Sequence, residues 1–111
     1  MAELLNTALV IPFKVFSTEY AFCALLDNNE VVTWGDSSRG GSPPTIPDGR
    51  SVTSVFSTDR AFCALLDNNE VVTWGSSAYG GTPPTIPAGQ SVTSVFSNRY
   101  AFCARLDNNA V

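Results

Sequence analysis

The side chains able to do chemistry in this chain are three cysteines and ten carboxylates, and there is no histidine. General-base or triad chemistry built on an imidazole is therefore excluded. Cys23, Cys63 and Cys103 recur at a spacing of forty residues. If each sits in its own sheet, with sheets stacked about 10 Å apart, neighbouring cysteines cannot close a disulfide, which needs Cα atoms within about 7 Å. A thiolate metal site would need the three to converge with no imidazole to help. They read as small buried apolar residues.

The carboxylates Asp27, Glu30, Asp67 and Glu70 lie at Asp-Asn-Asn turns and strand starts, where solvation by water is expected. Asp27-Asn28-Asn29 has the look of a calcium-loop fragment, but the alternating acidic ligands and the distal glutamate are missing, so it reads as turn chemistry. Gly40-Gly41 lacks the Lys-Ser and following helix of a phosphate cradle and reads as a loop. The expectation is a protein that is not an enzyme, with no catalytic residue, no cofactor and no metal.

What positions these residues is a tandem repeat. Residues 15–54 and 55–94 are identical at 32 of 40 positions, differing at Glu19/Asp59, Tyr20/Arg60, Asp36/Ser76, Ser38/Ala78, Arg39/Tyr79, Ser42/Thr82, Asp48/Ala88 and Arg50/Gln90. A third copy covers 95–111, and residues 1–14 precede the first. Each copy reads as strands and turns. Tyr20 to Leu26 places Ala21, Cys23 and Leu25 on one face and Phe22, Ala24 and Leu26 on the other. Both faces are apolar, so such a strand must be covered on both sides. Asp27-Asn28-Asn29 turns the chain into Glu30-Val31-Val32-Thr33-Trp34, which makes a hairpin. Thr45-Ile46-Pro47 is a weak edge strand or an extended link, because proline cannot donate into a ladder. Ser51 to Ser57 is a further strand. The expected core is Phe22, Phe62, Ala24, Ala64, Cys23, Cys63, Val32, Val72, Trp34 and Trp74, with the tryptophans packing between sheets rather than lining a ligand groove.

A sheet of about 40 residues with two apolar faces is the unit of a β-propeller blade. The expected fold class is all-β, with antiparallel sheets of β-propeller type in an incomplete array of under three blades, forming one structural domain. The succession Val-x-Ser-Val-Phe-Ser, Ala-Phe-Cys-Ala-Leu, Asp-Asn-Asn-Glu-Val-Val-Thr-Trp-Gly and Gly-Gly resembles the repeat of the regulator of chromosome condensation family over residues 15–111. The resemblance implies propeller blades, closed in that family as a ring of seven, some members acting in nucleotide exchange on a small GTPase or binding chromatin. This chain has Ser-Thr-Glu-Tyr before Ala-Phe where family blades typically carry Gly and His, and its units are shorter. The exchange and chromatin activities are not carried over.

With 44% apolar and 14% charged residues, this chain buries surface rather than staying disordered. Ten acids against six bases give a net charge of −4 and no basic cluster, so no nucleic-acid partner is expected. Glu3, Asn6 and Thr7 break up the N-terminal apolar run, which argues against a signal peptide, and no stretch approaches a membrane span, so a soluble chain without direct membrane insertion is expected; no compartment follows.

The third copy carries Arg105 where the others have Leu25 and Leu65, which reads as a polar cap or as a contact to a partner's carboxylate. It also leaves an unpaired edge expected on 101–106, for which Ala8, Leu9, Val10 and Ile11 of a neighbouring copy are apolar enough to serve as the added strand. Arg39 and Tyr79 differ between the copies in exposed loops and complete the expected interaction residues. The function expected is a structural or protein-interaction module completed by self-association or by a larger assembly, with a protein partner or a homo-oligomer. Two alternatives stay open. One is a multivalent, lectin-like small-ligand binder; the other is a small peripheral subunit of a large complex, at a membrane or away from one.

Overall fold

The structure, a computed structural model, describes residues 12–111. Eight strands run in order: β1 Pro12–Ser17, β2 Ala21–Leu26, β3 Val31–Gly35, β4 Val52–Ser57, β5 Ala61–Leu66, β6 Val71–Gly75, β7 Val92–Ser97 and β8 Phe102–Leu106. They form three antiparallel sheets, β1-β2-β3, β4-β5-β6 and β7-β8. Single 3-10 turns, Ser37–Arg39 and Ser77–Tyr79, follow β3 and β6. No described helix is long and apolar enough to cross a membrane.

The hairpin turns follow from their residues. Asn29, Asn69 and Asn109 each sit at a φ near +67°, in the left-handed region that asparagine tolerates better than other side chains. Each turn closes with Asn29 N–H donating to Leu26 O at 2.9 Å and Leu26 N–H donating to Glu30 O at 2.9 Å, repeated forty residues on. The first strand of each sheet carries a register irregularity, between Pro12 and Lys14, Val52 and Ser54, and Val92 and Ser94. The expected weak strand at Thr45–Pro47 does not form. Pro43, Pro44 and Pro47 remove its donors, and the segment crosses between sheets as irregular chain, with Ile46 alone packed against the core. Each complete sheet therefore has three strands, not four.

The core lies between the sheets. Ala21, Cys23, Leu25, Phe16 and Val31 of the first sheet meet Val52, Val55, Phe62, Ala64, Leu66, Val72 and Trp74 of the second. The opposite face of the second sheet, with Phe56, Cys63, Leu65 and Val71, meets Val92, Val95, Phe102, Ala104 and Leu106 of the third. Each interface thus joins a face of small residues around a cysteine to one led by phenylalanine, so bulk on one side fills space left on the other.

Two parts of the expected core are corrected. Phe62, Ala64, Cys63, Trp74, Cys23 and Ala24 are buried and Val72 is half-buried, but Phe22, Val32 and Trp34 are 46%, 47% and 46% exposed. They occupy the face of the first sheet that no described sheet covers. Cys103, expected to be buried, is exposed on the uncovered face of the third sheet. Identical sequence in the middle sheet is buried because it has a neighbour on each side.

Phe62 and Phe22 are the same residue in the same strand position, so position in the stack alone separates them. Phe62→Ala is expected to cost about 3–5 kcal/mol as a core truncation, and Phe22→Ala about 1 kcal/mol or less as a surface one. Urea denaturation of the two variants checks this; equal losses contradict the stacking order.

Candidate interaction surfaces

Neighbouring sheets are joined at one edge by a ladder of main chain and charge. Glu19 N–H donates to Asp59 O at 2.7 Å, and Asp59 N–H donates to Arg99 O at 3.0 Å. Beside it, Arg60 Nε lies 3.3 Å from Glu19 Oε1 and Arg99 Nε lies 3.2 Å from Asp59 Oδ2. These pairs are partly exposed, so water screens them and each contributes little to stability. Their value is in fixing the rotation of one sheet over the next.

Five of the eight differences between the two long copies, at 19/59, 20/60, 36/76, 38/78 and 39/79, gather at this edge and are coupled. In the first copy the Arg39 guanidinium lies 4.7 Å from the centre of the Tyr20 ring and 2.7 Å from Asp36. In the second, Arg60 lies 4.9 Å from the centre of the Tyr79 ring. Arginine and tyrosine have exchanged places and kept the cation–π contact. Asp36 and Ser38 follow the same logic. Ser38 Oγ and N–H both donate to Asp36 Oδ1, at 2.7 and 2.9 Å, holding that carboxyl below the usual carboxylate range together with Arg39. Where arginine becomes Tyr79 the acid becomes Ser76, and where the acid is lost its partner serine becomes Ala78.

The residues singled out in the sequence separate accordingly. Arg39 is committed to Asp36 and Tyr20, and Tyr79 packs between Arg60 and Tyr100, its ring 5.4 Å from that of Tyr100. Arg105 is exposed and donates from Nη2 to Asn109 Oδ1 at 3.0 Å, on the same uncovered face as Cys103 and Phe96. Ala8, Leu9, Val10 and Ile11 lie outside the described residues. The sequence reading missed Val15, Phe22, Val32 and Trp34 as surface.

That end face has a defined shape because the middle sheet shows the same face in use. Phe62 and Trp74 pair with ring centres 5.5 Å apart, and Trp74 Nε1 donates to Gly40 O at 3.2 Å in the buried interface. Gly40 sits at φ +104°, and a Cβ there would lie 2.5 Å from a Phe62 ring carbon, so only glycine allows both the turn and the contact. Phe22 and Trp34 hold the same 5.5 Å ring separation without any such turn against them. The described residues contain no group of three His, Cys, Asp or Glu able to hold a metal.

Burial pushes the Cys23 and Cys63 thiols up to about 12 from an ordinary value of 9.0. The sign follows from linkage. Between about pH 9 and 12 the unfolded thiol is ionised while the folded one keeps its proton, so stability falls as pH rises, by at most ~1.4 kcal/mol per pH unit for Cys63. Cys63→Ala is expected to lessen this slope, measured by denaturation between pH 8.5 and 10.5. In the same native protein a thiol reagent is expected to modify Cys103 alone.

Against known proteins, residues 52–80 match the family model described as Regulator of chromosome condensation (RCC1) repeat. No curated protein matches the chain. Among solved structures, the chain superposes on the CRINKLY WD40 ectodomain of the Arabidopsis thaliana receptor kinase ACR4 with a TM-score of 0.68 at 20% identity, covering 93% of this chain and 36% of that one. This chain therefore spans about a third of the ectodomain it resembles. Residues 52–80 are thus similar to an RCC1 repeat, and the described residues fold as consecutive all-β sheets like the blades of a propeller.

Proposed function

We propose that this chain is a non-catalytic protein-interaction module that works through the uncovered faces of its outer sheets. The observation that carries this reading is the face of Val15, Phe22, Val32 and Trp34, whose side chains are roughly half exposed, with Val15 at 57%. Its equivalent in the middle sheet, led by Val55, Phe62, Val72 and Trp74, packs against a neighbouring sheet. A contiguous apolar surface with a preformed aromatic pair is a surface for protein. The partner's chemistry follows from the internal example: an apolar sheet face of small side chains with a glycine turn offering its carbonyl to the Trp34 indole. Another copy of the chain and a blade of a larger assembly both meet that description.

The opposite end is less apolar, since Arg105 replaces the leucine that packs inward in the first sheet. The two ends therefore have different preferences, and the Phe22 face is the stronger site. A lectin-like use of equivalent loops fits less well, because the loops at 36–39 and 76–79 differ in a coupled way and spend their polar groups on one another.

Val32→Glu tests the proposal without disturbing the internal interfaces. The wild-type chain is expected to associate on raising its concentration, or to be retained by its assembly. The variant is expected to lose that association by at least about tenfold in affinity, a charge having been placed at a desolvated contact. Light scattering with matched circular dichroism reads the result. Unchanged association in a folded variant overturns the assignment of this face.

A further inference from the structure

Two differences between the long copies, Asp48/Ala88 and Arg50/Gln90, lie away from the sheet edge and line equivalent clefts. The first cleft, of about 340 Å³, lies between the turn at 29–31 and the proline segment at 43–50; the second, of about 330 Å³, uses the same positions forty residues on. Ile46 and Ile86 each pack against an inter-sheet core, so both clefts have an apolar wall. Their polar groups are almost all acceptors. No described main-chain N–H donates to the carbonyls of residues 43–46 or 83–86, as the prolines have none to give. Glu30 Oε1 accepts from Asn28 Nδ2 at 3.2 Å, while Arg50 pairs at 3.6 Å with Asp67, outside the cleft. In the second cleft Gln90 Oε1 is enclosed and meets no donor. The two differences remove one charge of each sign. Each cleft therefore keeps one net negative charge, from Glu30, Asp48 and Arg50 in the first and from Glu70 in the second.

We propose that the two clefts are matched binding sites for basic side chains, lysine or arginine, of a partner protein. The proposal deepens the interaction reading and rests on it, since it names a second surface and the chemistry of the partner it takes. A cleft that offers carboxylate and carbonyl oxygens along an aliphatic wall fits a ligand with an aliphatic stem and a head that only donates, and lysine and arginine are those side chains. The head pairs with Glu30 or Glu70, the stem lies along isoleucine and proline, and the partner's own peptide N–H groups supply donors to the proline segment. A free amine brings no such N–H groups. Neither cleft is lined by an aromatic ring, so a sugar would find no stacking face.

The test is a nitrogen-15 NMR titration of the whole chain with the peptide acetyl-Gly-Lys-Gly-amide. Gly49 and Gly89 line the two clefts in open space, so their amide signals report each site separately. Saturable shifts are expected at both glycines, and the same peptide with norleucine for lysine, which keeps the stem and loses the charge, is expected to bind at least about tenfold more weakly. Glu30→Gln is expected to weaken the response at Gly49 by about threefold to fivefold and to leave Gly89 unchanged, and Glu70→Gln the reverse, each untouched site reporting that the variant is folded. No saturable shift with the lysine peptide, equal binding of the norleucine peptide, or loss at both glycines in either folded variant overturns the proposal. Butylamine binding as tightly as the lysine peptide assigns the clefts to a free amine and overturns a protein side chain as their occupant. Val32→Glu is expected to leave both responses unchanged, so failure of the clefts and failure of the Phe22 face are read separately.

Discussion

The Phe62 ring lies against Gly40, with Trp74 beside it donating to the carbonyl of that glycine, and the arrangement of the chain depends on this contact. A sheet apolar on both faces cannot stand alone in water, because each uncovered face costs free energy in proportion to its apolar area, ~25 cal/mol per Å². Covering one face with a second sheet passes the problem to the next. The contact also has a direction. One side offers small residues and a glycine turn, the other two large rings, so sheets stack in a single orientation and a repeat is the natural way to encode it.

Direction alone does not fix the angle between sheets, and a second layer of interactions does. The edge ladder through Glu19, Asp59 and Arg99 sets spacing by main-chain hydrogen bonds, and the arginines at 60 and 99 reach back to the acid of the preceding sheet. The coupled exchange of Tyr20 and Arg39 for Arg60 and Tyr79 shows that this layer is a property of pairs. Either residue can stand at either position, provided the ring and the cation remain together. Glu19 and Asp59 stand at equivalent positions as like charges, and each is met by an arginine of the following sheet: Glu19 by Arg60, one position on, and Asp59 by Arg99, which replaces the acid at the equivalent position.

Much of the architecture was legible from the residue pattern, since the hairpin at Asp27-Asn28-Asn29, the two-faced strands and the inter-sheet role of Trp74 all follow from local chemistry. The failures have one cause. Phe22, Val32, Trp34 and Cys103 were read as core because their neighbours in sequence match those of Phe62, Val72, Trp74 and Cys63, and local pattern carries no information about where in the stack a copy lies. The strand expected at Thr45–Pro47 failed for a different reason: one isoleucine seeks burial, but three prolines leave too few donors to hold a ladder around it. Arg39 and Tyr79 looked like free surface because exchange between copies resembles drift when the contact that links them is not in view.

Copy-to-copy identity therefore means something different at the middle and at the ends. In the middle sheet the same letters satisfy both neighbours, and its phenylalanine and tryptophan stabilise the fold by burial. At the first sheet the same letters hold the ring pair at the same 5.5 Å while half exposed, so the hairpin register, and not burial, sets that separation. Identical letters therefore carry a packing role on both faces of a sheet only where both faces are covered, and among the described residues that is the middle sheet.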